Sequence, residues 1–396
     1  MGAIIFNIGE SVKLSAFNIL QEPIKMLMES EKEAFEKESI LPKIYTMRTM
    51  DKYQEEYRSS TKMGNFNPTE DMEPASLLDF EEGYGKIFRT QIWTAGFVIS
   101  KQTIEDNQDM NINQQAMGFI RSYNRTRELY GHAMLVGALT GSCKFGDAGK
   151  EKTFDCHGMD TVDGTVEGAK QVYFHNAHKS VVSGVADQSN KFRASIDLTA
   201  PGAHEKLLSV IGTVETAMMN YTDYNGNPVL VAPTRILIPN YYAFKDCLLT
   251  AIKTQYTSAM GDNGVNLQYG KWDVVVSPYL NGKTGFTEAD QAFIMIDPKF
   301  NRDNLGAVWF DRKPLEVDSY MDKGNKANVW DGRARYGAGF ADFRAMAYVS
   351  TKKLGTGEQL ANVAQAQNAT PIDVNTDYVP KTEVSVIGTV QTTKAE

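Results

Sequence analysis

Arginine, glycine and aromatic residues crowd one short segment near the end of the chain, RARYGAGFADFRAM, residues 333–346. Arg333, Arg335 and Arg344 supply planar guanidinium groups, which bind carboxylates through paired hydrogen bonds. They follow the irregular stretch KGNKANVWDG, and the glycines indicate a tight bend or a close backbone approach where a strand ends. These residue types favour binding over catalysis. The acidic partners of the arginines lie either inside the same subunit or across an interface.

The other residues that could do chemistry are five histidines and three cysteines. Suggestive spacings occur only in HNAH, with His175 and His178, and where Cys156 precedes His157, whereas a structural zinc site needs four converging ligands. The chain contains no GxSxG and no GxxxxGK[ST] motif. We therefore expect no catalytic residue, no cofactor, and no metal at Cys143, Cys156 and His157.

Composition excludes several classes of protein. The 396 residues carry a formal net charge of -8, from 41 basic and 49 acidic side chains, which argues against coating nucleic acid by charge alone. Three cysteines are too few for a disulfide scaffold and favour a reducing compartment. No apolar run approaches the ~18 residues that span a bilayer, and the N-terminus lacks a secretory pattern. We expect a soluble cytosolic chain with no membrane partner.

A polar strand pattern at 52–61 and an apolar strand pattern at 86–99 flank a proline-bearing acidic segment. This arrangement predicts a long hairpin, and a lone hairpin is marginal in water, so it needs support from elsewhere. Its acidic tip also needs a cationic receiver. The charged residues of this segment that are candidates for contacts between subunits are Lys62, Glu70, Asp71, Glu73, Glu81 and Glu82.

Two helices stand out before the middle of the chain. Residues 16–39 form an amphipathic pattern with a heavily charged face, which packs on its own chain or docks on a partner. Residues 110–139 carry a long apolar stripe and predict a helical spine for the fold. Arg127 falls inside that stripe, where it forms either a salt bridge under the helix or a contact across a subunit boundary.

Strands then alternate with helices, which predicts a mixed α/β lobe after an irregular stretch at 141–202. Asn240 is the expected N-cap of the second helix of the lobe. The tail has a linker composition, with one possible edge strand in TEVSVIGTVQT. The predicted helices are 203–221 and 241–256, and the predicted strands are 229–239, 272–278, 292–298, 306–317 and 342–350.

Placed in chain order, these pieces resemble a known family. YGKIFRTQIWTAGFVISKQTIEDN, the long helix, ILIPNYYAFKDCLLTAI, VVVSPYL, FIMIDP, VWFDRKPLEV and RARYGAGFADFRAMAYVS are similar to segments of tailed-phage major capsid proteins. Within that family the sequence is closest to the Mu-like major head subunits. The resemblance covers residues from about 50 to 353, and its last motif is the most specific.

The resemblance implies an α+β chain with the HK97-like capsid fold. Its parts would be an N-terminal arm (1–51), an E-loop hairpin (52–99), a peripheral domain with the spine helix (100–140), an axial domain (141–303), a return to the peripheral domain (304–353) and a C-terminal tail (354–396). In the family the E-loop lies across a neighbouring subunit, which would supply the support that the hairpin lacks. Lys62 has no recognisable partner for a cross-link.

The implied function is a major capsid protein of the virion, not an enzyme. It would assemble with itself as pentamers and hexamers into an icosahedral shell around double-stranded DNA of a tailed bacteriophage, without reading DNA sequence. Scaffolding, portal and decoration proteins would be further partners, and assembly would take place in the host cytoplasm. The alternatives are an encapsulin-like compartment shell and a soluble α/β enzyme that uses the histidines and cysteines of 143–204.

Overall fold

The computed structural model describes residues 4–13, 18–60, 66, 68, 71, 82–106, 109–159, 171–180, 182–255, 265–286, 291–352 and 370–372. Its helices are α1 (Glu10–Lys13), α2 (Asn18–Glu38), α3 (Leu41–Ile44), α4 (Lys101–Glu105), α5 (Asp109–Gly137), α6 (Ala203–Met219), α7 (Tyr242–Lys253) and α8 (Pro298–Asn304). Its strands are β1 (Ile5–Ile8), β2 (Thr46–Thr49), β3 (Gln54–Ser60), β4 (Glu82–Arg89), β5 (Gln91–Ile99), β6 (Ser142–Phe145), β7 (Lys152–Asp155), β8 (Lys191–Arg193), β9 (Arg235–Pro239), β10 (Asp273–Ser277), β11 (Ala292–Ile296), β12 (Ala307–Met321), β13 (Asn328–Phe340), β14 (Met346–Ser350) and β15 (Thr370–Pro371). The predicted α+β class is confirmed.

The chain forms two compact units, and the first comprises residues 1–55, 87–132 and 308–338. Its five-stranded sheet has the order β1, β12, β13, β5, with β2 also paired to β12. The arm strands β1 and β2 run parallel to β12, whereas β5 is antiparallel to β13. Strand β5 therefore forms one edge of this sheet.

The single strand predicted over 86–99 is wrong. It divides at Thr90 into β4, which pairs with β3, and β5, which pairs with β13 from Gln91 to Ile99. Three polar residues, Arg89, Thr90 and Gln91, interrupt the apolar pattern at this point. They mark the end of β4, but they do not reveal which strand β5 pairs with. The predicted E-loop of 52–99 consequently contributes its last residues to the five-stranded sheet.

Stacked aromatic rings fill the core of the first unit. Trp309 stacks on Tyr336 at 5.1 Å between ring centroids, and Trp93 also stacks on Tyr336, at 4.9 Å. Tyr130 of α5 contacts both Trp93 and Trp309 edge-on. Because each such ring buries roughly 150–250 Å², this cluster fixes α5 on the sheet. The predicted spine helix of 110–139 is confirmed as α5.

Helix α2 packs its apolar face on the first unit, where Ile24 and Met28 are fully buried. Arg121 of α5 forms a bidentate ion pair with Glu31 on the charged face of α2, with hydrogen bonds of 2.9 and 3.1 Å. Of the two interpretations of the amphipathic pattern, the structure supports a helix that packs on its own chain.

The second unit comprises residues 56–86, 133–307 and 339–396. Its six-stranded sheet has the order β10, β9, β11, β14, β8, β15. Strands β11 and β14 are buried along their whole length, as their unbroken apolar sequences indicate. Helices α6 and α7 pack against each other in this unit. The short strand β15 pairs in parallel with β8 and was not predicted.

Three features of the fold differ from those expected. The segment 304–353 does not return to one domain as a whole, because β14 joins the six-stranded sheet while most of β12 and β13 lies in the first unit. The stretch 323–332, expected to be irregular, includes the start of β13, which continues from Asn328 to Phe340. Asn240 does not cap α7, since the N-cap position is Tyr241 and the Asn240 side chain accepts a hydrogen bond from Lys245.

Among the described residues, no helix combines the length and the hydropathy that crossing a membrane requires. Most of the predicted acidic tip lies outside the described residues, including Lys62, Glu70, Glu73, Glu81 and the side chain of Glu82. Asp71 is described and exposed. The possible edge strand TEVSVIGTVQT also lies outside the described part of the chain.

Candidate interaction surface

One face of the β5–β13 pair is open to solvent. Side chains alternate along β13, so that Ala334 and Tyr336 point into the core while Arg333 is exposed and Arg335 is half-buried on the other face. Glycine allows this strand to pack closely, because a Cβ on Gly332 would lie 2.4 Å from the Phe119 ring. Of the two predicted roles for glycine in this region, a tight bend and a close backbone approach, the structure supports the close approach, within a strand.

Exposed apolar side chains share this face. Arg335 lies opposite Ile92 of β5 and Arg333 lies opposite Thr94. Ile92 is 49% exposed and Val98 is 50% exposed, which is unusual for branched apolar residues in a strand. We call Ile92, Thr94 and Val98 of β5 with Arg333 and Arg335 of β13 the outer face. In the part of the chain that the structure describes, neither arginine forms an ion pair.

Arg127 is turned away from any such surface. Its guanidinium is buried against Trp309 and Tyr336, each 5.0 Å from the ring centroid, and forms an ion pair with Asp311 at 3.0 Å. Burial disfavours the charge, yet Tyr123 and Asp311 beside the guanidinium raise the pKa of Arg127 above its ordinary value. Of the two alternatives, the structure places the salt bridge under the helix, within one chain.

Arg344 is also buried within its own unit. It pairs with Asp342 at 3.2 Å and donates to the Thr222 carbonyl at 2.7 Å. The rings of Tyr224 and Phe343 each lie 4.6 Å from the guanidinium carbon. Burial opposes its charge, but Asp342 raises the pKa of Arg344. Arg344 is therefore not exposed on the described part of the chain, and it is not free to make the predicted contact with an acidic tip.

The returning strand of the hairpin, β4, is fixed to its own chain, contrary to the expectation of an unsupported hairpin. Lys86 of β4 is buried and donates to Asp155 and to the His157 carbonyl, both at 2.8 Å. Tyr84 packs edge-on against Tyr224 at 5.6 Å. Burial of Asp155 favours its neutral form, but His157 and Lys86 outweigh this effect and lower the pKa of Asp155. These contacts support only the beginning of β4.

A family model described as "Phage capsid protein" matches residues 83–349, more than half of the 396 residues. The chain belongs to this phage capsid protein family. The predicted function as a bacteriophage capsid protein is confirmed, and an enzyme or an encapsulin-like compartment is not favoured. Mu-like affinity within the family stays a prediction.

Several solved capsids are similar to this capsid protein. The mature capsid of bacteriophage PhiM1 is 11% identical, covering 78% of this chain and 86% of that chain, with a TM-score of 0.44. The capsid of Myoviridae phage XM1 is 11% identical, covering 77% and 89%, with a TM-score of 0.44. A virus-like particle from Pyrococcus furiosus is 7% identical, covering 83% and 98%, with a TM-score of 0.41. No curated protein matches the chain.

Sequence reasoning missed two features of this capsid protein that the structure makes plain. Ile92 and Val98 alternate with Trp93, Phe97 and Ile99, so the strand is apolar on both faces and resembles a strand buried on both sides. The anchoring role of Lys86 carries no local signal, because its partners Asp155 and His157 are distant in sequence.

The histidines of HNAH have structural partners in the capsid protein. His178 stacks on Phe343 at 3.8 Å and bonds Asn190 at 2.9 Å. Burial lowers the pKa of His178 to about 3, with His175 and Arg344 adding to the effect. Among described residues, no three His, Cys, Asp or Glu side chains gather as metal ligands.

Acid should therefore destabilise the unassembled chain. Since the pKa of His178 is about 3 in the folded state and about 6.5 when unfolded, the unfolded chain binds the extra proton between these values. Stability from this group is full above about pH 6.5 and falls by up to ~1.4 kcal/mol per pH unit below it. Urea titrations from pH 7 to 5 should show that His178→Gln reduces this slope. The half-buried His204→Gln is the control, and equal slopes for the two variants would contradict the assignment.

Proposed function

We propose that this capsid protein is the main shell subunit of a tailed phage, and that copies of it assemble as pentamers and hexamers. The five-stranded unit with α5 corresponds to the peripheral domain, the six-stranded unit corresponds to the axial domain, and the chain has the HK97-like arrangement. Support comes from the family membership and from the order of the elements along the chain.

The E-loop of the proposed subunit consists of β3, β4 and the acidic segment between them. Among the described strands, β3 and β4 form a two-stranded sheet that joins neither larger sheet. Two-stranded sheets are marginal alone, and the anchoring contacts of Lys86 and Tyr84 hold only the first half of β4. The acidic tip of one subunit therefore gains its support from a neighbouring subunit.

The outer face is the proposed receiver of that tip. The residues that it exposes are the single observation that carries the proposed contact. Arg333 and Arg335 lie on the same face of β13, beside the exposed apolar Ile92 and Val98. The planar guanidinium group of arginine binds carboxylates in a fixed geometry, so such contacts set the register between subunits. The apolar residues contribute buried area. Glu70, Asp71, Glu73, Glu81 and Glu82 are the proposed acidic partners, with Lys62 beside them.

The remaining partners follow from the role of a shell subunit. With a net charge of -8, the chain encloses double-stranded DNA without coating it by charge. Portal, scaffolding and decoration proteins bind the assembled shell, which forms in the host cytoplasm and becomes the outer layer of the virion. The subunit performs no chemistry in this role.

Charge reversal tests the proposed contact. Arg333→Glu with Arg335→Glu should reduce the yield of closed particles at least about tenfold, because two attractive contacts per interface become repulsive. Adding Glu81→Lys and Glu82→Lys should restore part of the yield. Arg302→Glu, at an exposed arginine that pairs with Asp303, is the matched control. Sucrose-gradient sedimentation gives the yields, and an unreduced yield from the double arginine variant would overturn the contact.

A further inference from the structure

Three sulfur atoms meet at the end of the long helix, within the second unit. The Met134 sulfur of α5 lies 3.5 Å from the Cys143 sulfur of β6 and 3.6 Å from the Cys156 sulfur, which directly follows β7. Gly137 makes room for them, since a Cβ there would lie 2.7 Å from Cys143 Cβ and 2.8 Å from Cys156 Sγ. Three separate elements thus place soft ligand atoms around one point.

The site is enclosed on one side and open on the other. Met134 and Cys156 are buried, whereas Cys143 is half-buried and provides access from solvent. Contact with the Cys143 thiol and burial both raise the pKa of Cys156, so this thiol is protonated in the free protein. The Asp155 carboxylate adds to this rise, and the ammonium group of Lys86, which pairs with Asp155, offsets only part of it.

We propose that Met134, Cys143 and Cys156 form a binding site for a soft monovalent metal ion, Cu(I). Thiolate and thioether sulfurs are the ligands that select Cu(I) over harder ions. A metal–sulfur bond of about 2.3 Å in a trigonal plane separates sulfurs by about 4 Å, so the two distances from the Met134 sulfur to the cysteine sulfurs need to widen by only a few tenths of an ångström. The prediction of no metal at Cys143, Cys156 and His157 was based on the four ligands of a zinc site and did not include the Met134 sulfur.

Binding balances as a proton exchange. Cu(I) forms bonds to both cysteine sulfurs and to the methionine sulfur, and the two thiols release their protons to water. The product carries one net negative charge. Because two protons leave, affinity should rise with pH. The bound ion would fasten the β6–β7 hairpin to the end of α5.

Cu(I) itself is the probe. Reduced full-length protein is titrated without oxygen against a chromogenic Cu(I) chelator, and one ion per chain is expected. Cys143→Ser and Cys156→Ser should each weaken binding by about a hundredfold or more, and Met134→Leu by about tenfold. Cys247→Ser is the matched control, because Cys247 lies on α7 and takes no part in the trio. X-ray absorption should show three sulfur neighbours.

The contrary results are equally definite. Uptake of no Cu(I) by the reduced chain, or loss of uptake in Cys247→Ser, would overturn the site. Two sulfur neighbours in place of three would remove Met134 from it. If Cys156→Ser fails to fold, Cys143→Ser still decides the matter, since Cys143 is half-exposed and tolerates a hydroxyl. Shell assembly is not an input to any of these measurements.

Discussion

Replacing residues 61–81 with a short Gly-Ser turn is expected to abolish closed particles while leaving the chain folded. The replacement spares β3, β4 and the anchoring contacts of Tyr84 and Lys86. The described cores of both units lie outside it. Without the acidic tip, each subunit loses its proposed grip on a neighbour, so particle yield should fall about a hundredfold or more, since many identical contacts fail together.

The comparison is made under conditions in which the unaltered chain forms particles. Circular dichroism and urea unfolding establish that the shortened chain is folded, and electron microscopy counts the shells. A full-length control keeps the loop and changes only Glu70, Asp71 and Glu73 to their amides, which should weaken assembly without abolishing it. Full-size particles from the shortened chain would show that the segment is not the E-loop.

Asp311→Leu is expected to lower the free energy of unfolding by about 3 kcal/mol or more, because it leaves the buried Arg127 charge without its carboxylate. The Arg127 side chain is only 3% exposed and has Asp311 as its ion-pair partner. Adding Arg127→Met should recover at least half of the loss, since an apolar pair of similar volume needs no charge compensation. Urea unfolding of the unassembled chain measures both changes.

Arg121→Met is the matched control for this experiment. Arg121 lies on the same helix and forms an ion pair with Glu31, but its side chain is 65% exposed. Exposed pairs contribute about 0–1 kcal/mol, so this variant should be nearly neutral. If Asp311→Leu is no more destabilising than Arg121→Met, then burial does not set the strength of the Arg127 pair.

Periodic elements could be predicted from the sequence. The long helix α5, the charged helix α2 and the apolar strands β10, β11 and β12 lie within a few residues of their expected positions. Their signals are local, because one face of each element is apolar over many residues. The family and its fold followed instead from the resemblance of the quoted segments to tailed-phage major capsid proteins.

Partnerships between distant residues could not be predicted in the same way. The change of partner at Thr90 and the placement of β14 in the second sheet depend on pairing that no local pattern encodes. The glycines of β13 left a tight bend and a close backbone approach open, and Gly337 serves the close approach, since a Cβ there would lie 2.6 Å from the Arg89 carbonyl oxygen. Of the candidate arginines, Arg127 and Arg344 are buried beside Asp311 and Asp342.

Electron microscopy of the purified chain tests the central claim most directly. A shell subunit should form ring-shaped capsomers or closed shells of uniform diameter as its concentration rises, either alone or when expressed with the other head proteins. Sedimentation should show the corresponding large species. A chain that remains monomeric under all of these conditions, while folded by circular dichroism, would contradict the proposed assembly.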